Sequence, residues 1–210
     1  MIYGSNYIYQ CPTCKNLLQN RSLISGNTSG AKWFSDGKQI ARMLPEFPNL
    51  TKCKKCDTIF WLTKLKELGT FEWGDIDKQD WQNADEAEFL NIDDYFRAID
   101  LKVAENEDEE YFIKQRIWWA FNDRVRESSE IFVNENDESL YRGNCFALIY
   151  LLDIESDNQK TTIGELYRNM GDFEKCINII ESIQDEELKW LVDKLRNECM
   201  EKNRWVIELS

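Results

Sequence analysis

The sequence predicts an α+β chain: a small β-rich module tied by cysteines, followed by an irregular all-α domain with repeat-like hairpins. Three observations carry that reading. Two Cys-x-x-Cys pairs, "CPTC" at 11–14 and "CKKC" at 53–56, are framed by β-forming residues. The charge reverses along the chain, with ten Lys/Arg against four Asp/Glu in residues 1–69, leaving 16 against 35 for residues 70–210. From about residue 84 the apolar residues recur at helical spacing. The predicted domains are therefore 1–69 and 70–210, meeting near "ELGTFEWGD".

Composition narrows the function classes. Of the 210 residues, 42% are hydrophobic, 13% aromatic and 31% charged, the profile of a folded chain. No apolar run approaches the roughly 20 residues a membrane-spanning helix needs. The start "MIYGSNYIYQC" lacks the charged and apolar regions of a signal peptide, so the expected location is the cytoplasm, without a membrane partner. Seven cysteines, an odd number, then read as reduced thiols or metal ligands instead of a disulfide framework. The chain contains no histidine, which removes the usual general base and the Ser-His and Cys-His nucleophile pairs.

The first element is a strand, "NYIYQ", leading into the first cysteine pair. The 38 residues that separate Cys14 from Cys53 form the 15–52 insert. Within it, Gly26, Gly30 and Lys32 do not make a phosphate loop, because three residues instead of four separate the glycines and Ala31 stands where Gly is needed. "SDGK" at Ser35 to Lys38 reads as a tight turn with Trp33 and Phe34 on one strand and Ile40 on the next. "LPEFPNL" is an extended return to the second pair, after which "DTIFWL" is again β-forming.

Cys11, Cys14, Cys53 and Cys56 supply four sulfurs from two tight turns, the donor set of one closed tetrahedral Zn²⁺ site per chain. Iron in the same cage is the alternative metal. A full set of four thiolates leaves no position for water or substrate, so such a site holds structure and does not catalyse. Lys15, Lys52, Lys54 and Lys55 beside the ligands offset the formal charge of the cluster or form a phosphate-facing patch. The first pair also has the form of a glutaredoxin-type dithiol, although no strand–helix unit surrounds it. On these residues the first module resembles zinc-ribbon and rubredoxin-like modules, from which the long insert departs.

Further on, "NIDDYFRAIDLKVA" reads as a helix capped by Asn91 or Asp93. "DEEYFIKQRIWWAFNDRVRE" places Ile113, Ile117, Ala120, Phe121 and Val125 on one face, with acidic residues 107–110 at its N-terminus and Arg124 and Arg126 at the other end. Of the doublet Trp118–Trp119, only one indole can face the core squarely. "TTIGELYRNMGDFEKCINIIESI", within a hairpin near 158–184, resembles a tetratricopeptide repeat. Gly164 stands at its small position, Tyr167 at its aromatic, "GDF" at its turn and Cys176 at the small position of the second helix. Phe173 and Ile180 fill the seam, and Leu188, Leu191, Val192, Leu195 and Cys199 repeat at helical spacing as core. Cys145, Cys176 and Cys199 read as small buried residues rather than a second metal site. A calcium-loop lookalike, Asp75, Asp77 and Glu86, fails because Asp80 stands where the turn needs Gly.

The chain as a whole resembles bacterial proteins that join an N-terminal zinc-ribbon module to a repeat-like helical tail. That group has no established activity and supplies no catalytic residue to carry over. The expectation is a non-enzymatic binding or adaptor protein with a structural zinc and a helical surface for a protein partner. The runner-up is a nucleic-acid-associated factor using the basic module, and a thiol redox protein comes third.

Overall fold

The computed structural model describes residues 1–72 and 79–209. In chain order the strands are β1 (Ile2–Tyr3), β2 (Asn6–Gln10), β3 (Leu17–Asn20), β4 (Leu23–Ser25), β5 (Lys32–Trp33), β6 (Gln39–Ile40), β7 (Leu50–Lys52), β8 (Ile59–Trp61), β9 (Gly69–Phe71) and β10 (Asp85–Glu86). The helices are α1 (Gln79–Gln82), α2 (Ile92–Asp100), α3 (Glu107–Arg126), α4 (Asp137–Tyr150), α5 (Asp157–Asn169), α6 (Phe173–Ile180) and α7 (Lys189–Met200). This is an N-terminal β region followed by a helical region, the predicted α+β class.

The chain folds into two compact units, one of Met1–Ala31 with Ile40–Val103, the other of Lys32–Gln39 with Ala104–Ser210. This division differs from the expected boundary at 69/70 in two ways. The first unit continues past residue 69 because β9 pairs with β2 and β10 with β3, completing a four-stranded sheet of order β10-β3-β2-β9. Conversely, eight residues of the insert belong to the helical unit.

In the first unit, β2 and β3 form an antiparallel hairpin from Tyr7↔Asn20 to Gln10↔Leu17, and β10 adds to β3 in parallel. Period-two alternation then divides the side chains. Ile8 packs with Phe71 and Ala84 on one face, while Leu18 packs with Phe60, Leu62 and the cysteines on the other. A second hairpin pairs β7 with β8 from Leu50↔Trp61 to Lys52↔Ile59. Helix α2 is capped by Asn91, whose side chain accepts from the Asp94 N–H at 2.8 Å. It is fixed to the strands by Lys52–Asp94 at 2.7 Å and by Arg97 donating to the Asp57 carbonyl at 2.6 Å.

In the helical unit, Asn106 caps α3 and four acidic residues fill its first turn, as the charge pattern predicts. Ile113, Ile117 and Phe121 face inward, whereas Ala120 and Val125 are only half-buried. Of the Trp doublet, Trp118 is fully buried with its N–H on Asn169 at 2.9 Å, and half-buried Trp119 donates to the Asp36 carbonyl at 2.9 Å. Helices α5 and α6 form the expected hairpin. At its turn Gly171 adopts φ +79°, donating to Arg168 while Asp172 donates to the Tyr167 carbonyl, so the last carbonyls of α5 are satisfied.

The "SDGK" turn forms as predicted, with β5 and β6 paired around Gly37 at φ +76°. Its residues enter a buried polar network of the helical unit. Ser35 donates to Glu165 at 2.7 Å, and Glu165 is held by Arg168 through bonds of 2.6 and 2.8 Å. Asp36 pairs with Arg126 and accepts from Asn122 at 2.8 Å. All five residues other than Arg126 are buried outright, which is why each charge has a partner.

Candidate metal centre

Each cysteine pair sits on a turn, and the two turns are copies of one another. After the first pair, Cys11 N–H donates to the Asn16 carbonyl at 2.8 Å and Lys15 N–H to the Cys11 carbonyl at 3.2 Å. After the second, Cys53 N–H donates to Thr58 at 2.9 Å and Asp57 N–H to Cys53 at 2.9 Å. In both turns the residue following the second cysteine is left-handed, Lys15 at φ 63° and Asp57 at φ 56°. Such backbone strain in non-glycine residues persists where the surrounding structure requires it.

The sulfurs of Cys11, Cys14, Cys53 and Cys56 all lie within 4.8 Å of one another. The short contacts run across the turns: Cys11 to Cys56 at 3.6 Å and Cys14 to Cys53 at 3.6 Å. A tetrahedron with Zn–S near ~2.3 Å has edges of roughly 3.8 Å, close to the two 3.6 Å separations, so the four sulfurs could hold one metal ion. The cage is backed by Leu18, Phe60, Leu62 and Ala87, with Cys11 and Cys53 fully buried.

Its electrostatics are uneven. Burial raises the Cys11 thiol and pushes Cys53 up to about 12. By contrast, the hydroxyl of Thr58, 3.2 Å from Cys56, draws that thiol down to about 6, helped by the Thr58 backbone. A cation held among the four sulfurs would offset the thiolate charge that burial otherwise opposes. Thr58 is the functional neighbour that spacing did not reveal; a hydroxyl two residues past a Cys-x-x-Cys pair is the signal for it.

The four lysines are mostly engaged elsewhere. Lys52 pairs with Asp94 at 2.7 Å, Lys54 with Glu88 at 2.6 Å, and Lys15 donates to the Pro12 carbonyl at 3.1 Å. The remaining cysteines, Cys145, Cys176 and Cys199, are buried in the helical unit and take no part in the sulfur cluster. Of the calcium-loop lookalike, Asp75 and Asp77 lie outside the described residues, and Glu86 is bonded to Arg21 at 2.6 Å. Among the described residues no helix is long and apolar enough to cross a membrane.

No family model, no curated protein and no solved structure matches this chain. The cluster of four cysteines, which could hold a metal ion, and the helical unit stand on their geometry.

Proposed function

We propose that this chain is a non-enzymatic binding or adaptor protein, whose β unit is stapled by one structural Zn²⁺ on Cys11, Cys14, Cys53 and Cys56 and whose helical unit meets a protein partner. The observation that carries it is the convergence of four sulfurs from two matching turns. Four thiolates complete the coordination of Zn²⁺, so the ion closes the module and has no open position for chemistry. The cross-turn contacts favour a shared ion over two separate redox dithiols, whose partners would lie within each pair. On the helical unit, Phe146 and Tyr150, one turn apart on α4, are 48% and 90% exposed, a surface suited to protein contact. The nucleic-acid reading is weakened because Lys52 and Lys54 spend their charge on Asp94 and Glu88.

The test is elemental analysis by mass spectrometry of untagged protein beside a Cys53→Ser, Cys56→Ser variant. One zinc per chain, absent from the variant together with the dispersed amide spectrum of the first unit, is expected. Iron in stoichiometric amount would replace zinc in the proposal. Metal-free protein with four reactive thiols would overturn it.

A further inference from the structure

A concave site lies within the helical unit, away from the cysteines. Trp33, Phe34, Ser35 and Gly37 of the β5–β6 ribbon, Thr161 and Thr162 of α5, Trp190 and Leu191 of α7, and Leu209 enclose a pocket of about 370 Å³. That volume falls in the range of small-molecule sites, ~300–1,000 Å³. No lining residue is charged, in a chain where 31% of residues are.

Charged residues that flank the lining are paired, Asp36 with Arg126 and Lys38 with Asp123 among them. Lys32 beside Trp33 bonds Glu208 beside Leu209 at 2.7 Å, and Lys160 beside Thr161 bonds Asp157 at 2.7 Å. The lining thus offers no charge, and a charged ligand would lose hydration there without gaining a partner in the wall. The larger pocket between α6 and α7 is different, since Glu181, Asp193 and Arg196 in its wall are already joined to one another.

Most of the wall is held in place. Ser35 is fixed by Glu165 and accepts from the Ile207 N–H at 3.1 Å. Phe34 is clamped beneath the Arg126 guanidinium, 4.5 Å from its ring centre. The Trp33 carbonyl accepts from Leu209 at 2.8 Å, and Thr161 is bonded back to Asn158 at 2.7 Å. Against this fixed frame two large indoles remain half exposed, Trp33 at 47% and Trp190 at 55%. Thr162 also lines the pocket. Pre-ordered walls lower the entropic cost of binding, and a flat ring between two indoles gains area and offset stacking together.

We propose that this pocket binds a small, neutral, planar aromatic molecule, held between Trp33 and Trp190 with Thr162 available to one polar atom. This goes beyond the metal-stapled scaffold reading and does not depend on it. The test uses full-length protein labelled with 5-fluorotryptophan, with the Trp33 and Trp190 resonances assigned by Trp33→Phe and Trp190→Phe, and indole as the probe.

Indole is expected to shift both resonances saturably, with Kd on the order of 0.1–1 mM for a ligand of this size. Tryptamine and indole-3-acetate, which add a positive or a negative charge to the same ring, should bind about tenfold more weakly. Trp190→Ala, which removes an exposed wall, should weaken indole about tenfold as read from Trp33. Absence of saturable shifts, shifts spread over the other tryptophans, equal binding of either charged analogue, or unchanged affinity in Trp190→Ala would overturn the assignment. A fold-preserving readout accompanies the variant: its remaining fluorine resonances should keep their free-protein positions.

Discussion

Asp36 shows how a two-letter turn signal can conceal a buried charge. Burial pushes its carboxyl up despite the Arg126 charge and the Asn122 donor, so desolvation outweighs the attraction of the pair. An ion pair of that kind adds little net stability, yet removing one half leaves the other buried. Asp36→Ala should therefore cost about 3 kcal/mol, at the low end of the usual range because Arg126 keeps its 2.7 Å bond to Asp123. Replacing both residues with apolar ones, Asp36→Leu with Arg126→Met, should recover most of that loss. Urea unfolding of the two variants reads the difference; equal loss in both would show that the network, not the pair, carries the stability. Nothing in "SDGK" announced this role, because a turn Asp normally faces water and its partner lies 90 residues away.

Among elements, those that depend on local chemistry were legible and those that depend on distant pairing were not. "NYIYQ" is β2 to the residue, Asn91 is the cap of α2, and the four cysteines meet as their spacing implied. β10 is the opposite case: Asp85 and Glu86 have poor strand propensity and pair only because β3 offers a free edge. The small residue in the α5–α6 hairpin is a further local success. A Cβ on Gly164 would sit 2.5 Å from Ile180 Cγ2, and Ile180 is fully buried among Cys176, Val192, Leu195 and Cys199. Gly164→Ala improves helix propensity by up to about 1 kcal/mol but must displace a packed isoleucine, costing about 1–3 kcal/mol. A net loss near 1 kcal/mol is expected, and Ile180→Leu in the same chain, which removes the Cγ2 branch, should relieve it. Thermal melting of the single and double variants checks this, and a stabilised Gly164→Ala would show that α6 can shift freely.

At the scale of the whole molecule, the chain enters the helical unit twice, once for eight residues between the cysteine pairs and again from Ala104 onward. Charge asymmetry placed the boundary near residue 69 because it reports which surface faces water, whereas the division follows strand pairing and buried partners. The insert is therefore no loose spacer. It carries Ser35 and Asp36, the partners of buried Glu165 and Arg126, so the helical unit lacks part of its own core unless this segment is present. Replacing residues 32–39 by a Gly-Ser linker of equal length should leave the sulfur donors and their turns intact, with metal content unchanged. The helical unit should lose several kcal/mol, since a buried arginine and a buried glutamate each lose a partner at about 1–3 kcal/mol or more. Hydrogen exchange resolves the two units separately: protection should collapse across α3 and α5 while β2, β3, β7 and β8 remain protected. Uniform loss across both units would mean that the cysteine-bearing unit cannot fold without the ribbon. Unchanged protection everywhere would show that the helical core closes without it.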